Sequence, residues 1–588
     1  MVNFLFQYSK NHNFSNDLTY KSLNHYNYKV KSFSSTNFRI DFLTYKNNKL
    51  PKFFENKDYL IFYTGYIFLK DNSIDVKNIL QLYLKGNLLK NISSGKFSLF
   101  IFDKKSKKVQ IINDKFGFVP IFYYFKNYNL IITTEPKGII LSLLTTKFNI
   151  NYKSIMNYLY SDYILGNDFY LTEIQKLKPG TKVVFKNNKL SIKQYVSIDF
   201  DFSKKKYNLK KLKNTFLEGI NNYKLLSHNY ICDISGGFDS RFIYLLDNDV
   251  KNTMTLGESY QEEYKIVQKT LKLKKSNLIN IKYKYSNEKT IDDFKKMNYI
   301  MDGLISLYSS YQNYLISTEY SNNYNFDFYI EGFLGDGILG GSYLDNFQEC
   351  FYELGISKTY NPDNYKNIRS FNKKLLNINT INLFNKIDNI SSEFDNLNSN
   401  FSYRKKIILW KFYNRGLNWL LYGSILRNKQ LLGVFPFFQY SFFDEYTKYD
   451  LNLLHLKKLY TYLIQYSVDK KYLNLKDNLF KTKLKYKYKL RFISLLFFSI
   501  LKYLKIYKKT SFVTCTAEIN DENNIILKKW ILNIILNSKI NYLFDLNYIV
   551  FLFQKENIDL FKQNYNYILR ILNLCLFFDR YFKKINFI

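Results

Sequence analysis

At 588 residues the chain is too long for one hydrophobic core, and two or more domains are expected. Its 46% apolar and 23% charged residues suit globular packing; four cysteines without CxxC spacing exclude a disulfide framework or zinc site, and four histidines, none paired at helical spacing, argue against a histidine-ligated metal. A net charge of +37 would suit nucleic acid or an anionic membrane, but lysine is spread along the whole chain among other residues of A/T-rich codons, so coding bias is preferred and no specific nucleic-acid partner is expected.

Asn3, Gln7 and Lys10 interrupt the early apolar residues, so no signal peptide is expected, and a reducing cytoplasm is the default location. Residues 1 to about 200 read as β-rich, with aromatic and β-branched runs such as Asp58 to Leu69, Phe97 to Phe102 and Val109 to Asn113. Val76 to Leu84 carries one of the few helical patterns there. Lysine-rich residues 204 to 213 mark a junction, beyond which helical periods alternate with apolar strands, as in a parallel α/β layer.

The stretch from Tyr230 to Leu246 organises that layer. A β-favouring run through Ile234 breaks at Ser235-Gly236-Gly237-Phe238-Asp239-Ser240 and resumes as a helix, with Asp239 and Ser240 where capping side chains belong. Paired glycines let backbone N–H groups crowd around an anion, and the helix N-terminus adds its positive end. Ser235 and Ser240 can donate hydroxyls and Asp239 can hold a cation, so the chemistry suggested is pyrophosphate binding. About a hundred residues on, the strand Phe326 to Glu331 runs into Gly332-Phe333-Leu334-Gly335-Asp336-Gly337, followed by Gly340 and Gly341. The dinucleotide fingerprint that Gly335, Gly337 and Gly340 spell is rejected, because no clean βαβ unit surrounds it.

Together the two glycine clusters resemble the asparagine synthetase family of PP-loop ATP pyrophosphatases. The first 200 residues are similar to that family's glutaminase domain, at Gly95-Lys96-Phe97-Ser98, at Asn113-Asp114 through Tyr124 and at the hairpin Ile174 to Thr181. The resemblance implies an α+β, Ntn-hydrolase-like sandwich (1–203), an α/β PP-loop domain of the adenine nucleotide α-hydrolase type (204–470) and a helical C-terminal extension (471–588). It implies ATP and Mg²⁺, with Ile234, Ser235, Gly236, Gly237, Asp239, Ser240, Thr255, Leu256, Gly257, Glu331 and Gly332 around the nucleotide. Asp239 and Asp336 would hold the metal, and Lys458, with Lys457 as second choice, would neutralise charge in the reaction. In so lysine-rich a chain a solvated helix face is an equal reading for either lysine.

Departures from the family pattern shape the functional expectation. Position 2, where the family bears its nucleophilic cysteine, is Val2, and no cysteine precedes Cys232. Thr64-Gly65-Tyr66 stands for the glutamine-holding Asn-Gly-Glu, so the domain is expected to be silent as a glutaminase. Phe333 sits where the family carries its base, Leu334 replaces a glycine, Gly337 a glutamate, Val434 an arginine and Gln439 an aspartate. The basic tract 481–491 and the apolar run 492–501, half the ~20 residues of a spanning helix, read as a solvated arm leading into a core helix rather than a membrane-surface element.

The function expected is therefore ATP-dependent activation of a small-molecule or peptide carboxylate and its transfer to ammonia or an amine. A PP-loop enzyme acting on tRNA and a non-catalytic descendant are the alternatives. No transmembrane segment is expected, and a homodimer is compatible with the sequence.

Overall fold

The structure, a computed structural model, describes residues 3–9, 18–44, 53–257, 262–282, 286–339, 371–387, 401–454, 457–476, 483, 485–486 and 524–586, leaving out 27, 36, 72, 144, 324 and 402. Val2, Gly340, Gly341, His455, most of the tract 481–491 and the run 492–501 lie outside the described residues.

Two six-stranded antiparallel sheets form the first layer pair. One runs Gln175–Lys176, Phe122–Lys126, Asn129–Thr133, Phe4–Tyr8, Phe38–Thr44, Lys29–Ser34; the other runs Lys189–Gln194, Thr181–Lys186, Lys108–Asn113, Ile92–Asp103, Tyr59–Leu69, Phe53–Glu55. Alternation along each strand puts Phe4, Phe6, Phe38 and Phe42 on the inner face of one sheet, against Phe62, Phe100 and Phe102 of the other. The ring centroids of Phe42 and Phe62 are 4.1 Å apart and those of Phe38 and Phe102 are 4.5 Å apart. The second sheet's outer face (Ile61, Tyr63, Leu99, Ile101) is covered by the expected helix Val76–Leu84, started by Asp75, whose side chain accepts from the Lys77 N–H.

The second layer is a five-stranded parallel sheet in the order Asn277–Ile281, Asn252–Leu256, Tyr230–Asp233, Phe328–Ile330, Leu432–Val434. Strand order reverses beside Tyr230–Asp233, and the connections on either side leave a crevice at its carboxyl end, the place where open α/β sheets bind ligands. Helices alternate with these strands, as the periodicity beyond residue 213 predicts: Glu262–Leu273 is helical, and Tyr403–Lys411, Phe412–Leu420 and Leu421–Asn428 run on as one continuous helix whose middle part is a π-helix.

The C-terminal segment does more than extend the second layer. Its 23-residue helix Ile558–Arg580 buries Ile568, Leu572 and Phe577, and the strand Ile585–Asn586 pairs with Phe148–Asn149 of the first 200 residues. Asn573 donates to the carbonyls of Gly303 (2.7 Å) and Ile305 (2.9 Å), and Asn298 donates back to the Asn573 carbonyl (2.7 Å), so buried amides satisfy one another where the parts of the chain meet. Among the described residues no helix is long and apolar enough to cross a membrane.

Candidate functional site

The strand Tyr230–Asp233 is buried through Cys232, and its chain leaves the sheet at the glycine loop. The helix behind the loop runs Phe238–Leu246 with Gly237 as its N-cap and no side-chain cap. Asp239 and Ser240 therefore do not cap it, contrary to the expectation, but lie in its first turn. Ser240 is used within the loop instead: its Oγ accepts from the Ser235 N–H (3.0 Å) and lies 3.1 Å from Ser235 Oγ. Arg241 fixes the peptide planes by donating to the carbonyls of Gly236 and Gly237, each at 3.0 Å.

The second glycine cluster abuts this loop. A Cβ on Gly332 would come within 2.7 Å of the Ser240 nitrogen and 2.8 Å of Asp239 Cβ; one on Gly335 would come within 2.6 Å of Asp239 Cγ. Only glycine permits that approach. Leu334, where the resemblance in the sequence expects a glycine, has φ of +50°, a left-handed conformation that a branched side chain adopts at a cost.

A cavity of about 440 Å³ opens where the two clusters meet. Of the residues singled out in the sequence, Ile234, Ser235, Gly237, Asp239, Ser240, Thr255, Leu256, Glu331 and Gly332 line it. Gly236 and Gly257 are not among the lining residues: Gly236 N–H is turned to Glu263 Oε1 at 3.0 Å, and Gly257, with φ of +142°, follows the strand Asn252–Leu256. Asp336 lies on the short helix Gly335–Leu339, next to the glycine that touches Asp239; its side chain is outside the described residues. Lys458 opens the helix Lys458–Ser467, preceded by Lys457 at φ of +60°, and neither lysine lines the cavity. Tyr460 of the same helix reaches the loop, donating its hydroxyl to Asp239 Oδ1 at 3.0 Å.

In the cavity floor Glu331 is joined by charged and polar residues that the sequence did not single out, Arg427, Asp233 and Ser424. The Arg427 guanidinium donates to Glu331 Oε2 (2.6 Å) and to Asp233 Oδ2, and stacks over the Tyr329 ring at 4.3 Å. Ser424 Oγ donates to Glu331 Oε1. Burial pushes Glu331 up to about 7, against the opposing pull of Ser424 and Lys96, and lowers Arg427 to about 9. Lys96, from the strand Ile92–Asp103, is wholly buried beneath this floor, donates to the Gly433 carbonyl (3.2 Å) and lies 3.8 Å from the Phe435 ring centroid. Burial lowers its amine to about 7, while the charges of Glu331 and Asp114 raise it. Arg427 carries no motif in the sequence, and its role comes from the helix Leu421–Asn428, which faces it to the sheet.

Phe333 forms part of the cavity wall and packs on Phe435 (4.7 Å) and on Phe118 of the first sandwich (6.0 Å). Val434 and Gln439 are both fully buried, the latter with neither amide atom hydrogen-bonded among the described residues. Among those residues no group of three or more His, Cys, Asp or Glu is arranged to hold a metal.

Residues 47–196 match the glutamine amidotransferase domain family. The chain carries a glutamine-amidotransferase-type domain. It is also 27% identical over 185 residues to a protein of Methanocaldococcus jannaschii described as "Putative asparagine synthetase (glutamine-hydrolyzing) 2", an alignment covering 29% of this chain and 35% of that protein. The chain thus matches about a third of that relative's length. Two similar solved structures are the allosteric regulatory enzyme of purine biosynthesis and the glutamine phosphoribosylpyrophosphate amidotransferase of B. subtilis with ADP and GMP. Each covers 40% of this chain and 60% of its own, at 10% and 11% identity and TM-scores of 0.24 and 0.23, values too low to bear on the fold.

Proposed function

We propose that the protein activates a carboxylate with ATP and passes the acyl group to ammonia or an amine, without hydrolysing glutamine itself. The observation that carries this reading is the contact of two distant glycine clusters around one cavity, at the crevice of the parallel sheet, with Asp239 held between them by Gly332, Gly335 and Tyr460. In the reaction the substrate carboxylate attacks the α-phosphorus of ATP and pyrophosphate departs with the bonding pair. The amine then attacks the acyl carbon, AMP leaves, and a base takes the amine's proton. Ser235, Ser240 and the N-terminus of the helix Phe238–Leu246 are suited to the pyrophosphate, since chemistry of this kind is mostly positioning and electrostatics.

Asp239 fits a magnesium ion: it is a carboxylate at the loop, pressed on the backbone that bears Asp336, and Mg²⁺ is commonly held by one or two carboxylates and substrate phosphates. Bound there, the ion would offset the charge of the leaving pyrophosphate. Phe333 supplies no proton acceptor, and the carboxylates among the described lining residues are Asp233, Asp239, Glu263 and Glu331. Absence of glutaminase activity is supported by residues 1–231, which contain no cysteine.

A second reading, a family descendant that binds but does not transform nucleotide, is favoured by Glu263, whose carboxylate already accepts the Gly236 N–H that an anion would need. ATP–pyrophosphate exchange with a panel of carboxylates separates the two. Exchange that depends on a carboxylate and disappears in Asp239→Asn is the expected result; ATP binding without exchange would favour the second reading, and no ATP binding would defeat both.

A further inference from the structure

A second cavity, of about 270 Å³, lies away from the glycine loops, between the first sandwich and the helix that spans Phe412–Asn428. One wall is the π-helical part of that helix, Phe412–Leu420, which presents Tyr413, Asn414, Leu417 and Asn418 on a single face, with Trp410 one turn earlier. Runs of π-helix are rare and recur at functional sites, because the widened turn re-aims side chains that an α-helix would distribute around its surface.

The opposite wall carries Lys176, from the edge strand Gln175–Lys176. This lysine is half-buried and lines the cavity. Its ammonium donates to Asn418 Oδ1 and lies 5.9 Å from the Tyr422 ring centroid. Among the described residues no carboxylate pairs with it, and burial alone lowers its amine to about 7. The asparagines are themselves held in place: Asn414 Oδ1 accepts from the Gly166 N–H (2.9 Å), and Asn418 Nδ2 donates to the carbonyls of Ile164 (3.0 Å) and Gly166 (2.9 Å). Lys176 therefore meets one neutral acceptor in a preformed aromatic pocket, and a cation drawn out of water without an opposite charge is costly. A ligand carboxylate would supply that charge, while Trp410, Tyr413 and Leu417 suit an apolar body.

The geometry points to this cavity as a binding site for a small carboxylate-bearing molecule, held through Lys176 and enclosed by the π-helix. The site is separate from the nucleotide cavity and does not depend on the chemistry proposed there.

Intrinsic fluorescence tests it, because the chain has three tryptophans and one, Trp410, lines the cavity. The full chain is titrated with benzoate, L-glutamate and inorganic phosphate. A saturable response to a carboxylate with Kd below about 1 mM is expected, weakened at least tenfold in Lys176→Met, with ATP binding unchanged. No saturable carboxylate response, or an equal one in Lys176→Met, overturns the proposal; a response to phosphate alone overturns the carboxylate assignment. Should Lys176→Met fail to fold, trinitrobenzenesulfonate labelling of the wild-type chain decides. The bound carboxylate must protect Lys176, read by peptide mass spectrometry, and unchanged labelling sinks the proposal.

Discussion

Gly332 and Asp239 lie so close that a Cβ on the glycine would sit 2.8 Å from Asp239 Cβ. Residues 93 positions apart thus share one wall of the cavity, and the atoms met are main chain (Ser240 N at 2.7 Å) and the Cβ fixed to it, with no flexible side-chain end to yield. Gly332→Ala should therefore cost about 1–3 kcal/mol of stability through overpacking and should abolish nucleotide binding. Urea denaturation and ATP titration of the same sample check both; a variant that binds ATP as well as the wild type would show that the clusters can separate freely.

Breaking the cavity floor should be costlier. Arg427→Met leaves Asp233 and Glu331 facing each other without the cation between them, and removing one partner of a buried pair typically costs about 3–5 kcal/mol. Denaturant midpoints should fall accordingly. A loss below about 1 kcal/mol would mean that the guanidinium contributes no more than a surface ion pair.

Gln439 leads to the opposite sign. Its side-chain amide is buried without a hydrogen bond among the described residues, so Gln439→Met, of similar length, should raise the unfolding free energy by about 1–3 kcal/mol. A decrease, measured by denaturant titration, would reveal that the amide is satisfied in solution.

Stability should also depend on pH through His25. The ring is buried beside Glu135 (2.9 Å), with Lys137 and Lys429 on the same carboxylate, and burial lowers it from 6.5 to about 4 although Glu135 opposes the shift. Its folded value is depressed, so the unfolded chain takes up the proton first; the stability His25 contributes is present above pH 6.5 and is lost as pH falls to about 4. Unfolding free energy plotted against pH should fall less steeply over that window in His25→Gln than in the wild type. Equal slopes would mean that His25 is protonated in the fold.

Glutamine added to the purified chain should yield no glutamate, because residues 1–231 contain no cysteine to attack the amide. Measured glutamate release above the blank would assign the amidotransferase-type domain an activity through another nucleophile.

Local pattern carried the sequence a long way. The near-continuous aromatic and β-branched runs around Phe62, Phe100 and Ile111 specify strands, and the structure buries them on both faces, one against the facing sheet and the other under the helix Val76–Leu84. Ser235-Gly236-Gly237 and Gly332 announce tight backbone approach, since few residues other than glycine tolerate it. Such signals are short-range, and they mark the tight loops without any knowledge of neighbours.

What only the tertiary structure decided are relations between segments far apart in the chain. That the two glycine clusters touch, that Tyr460 reaches Asp239, that Arg427 bridges Asp233 and Glu331, and that Lys176 meets the π-helix at Asn418 all depend on the docking of helices onto sheets. The helix Ile558–Arg580 shows the same limit: its amphipathic pattern predicts that one face is buried but is silent about what buries it. Hydrophobic periodicity encodes which side of an element leaves water; the identity of the partner across the interface is fixed by shape and charge complementarity, to which the spacing of residues along one segment gives no access.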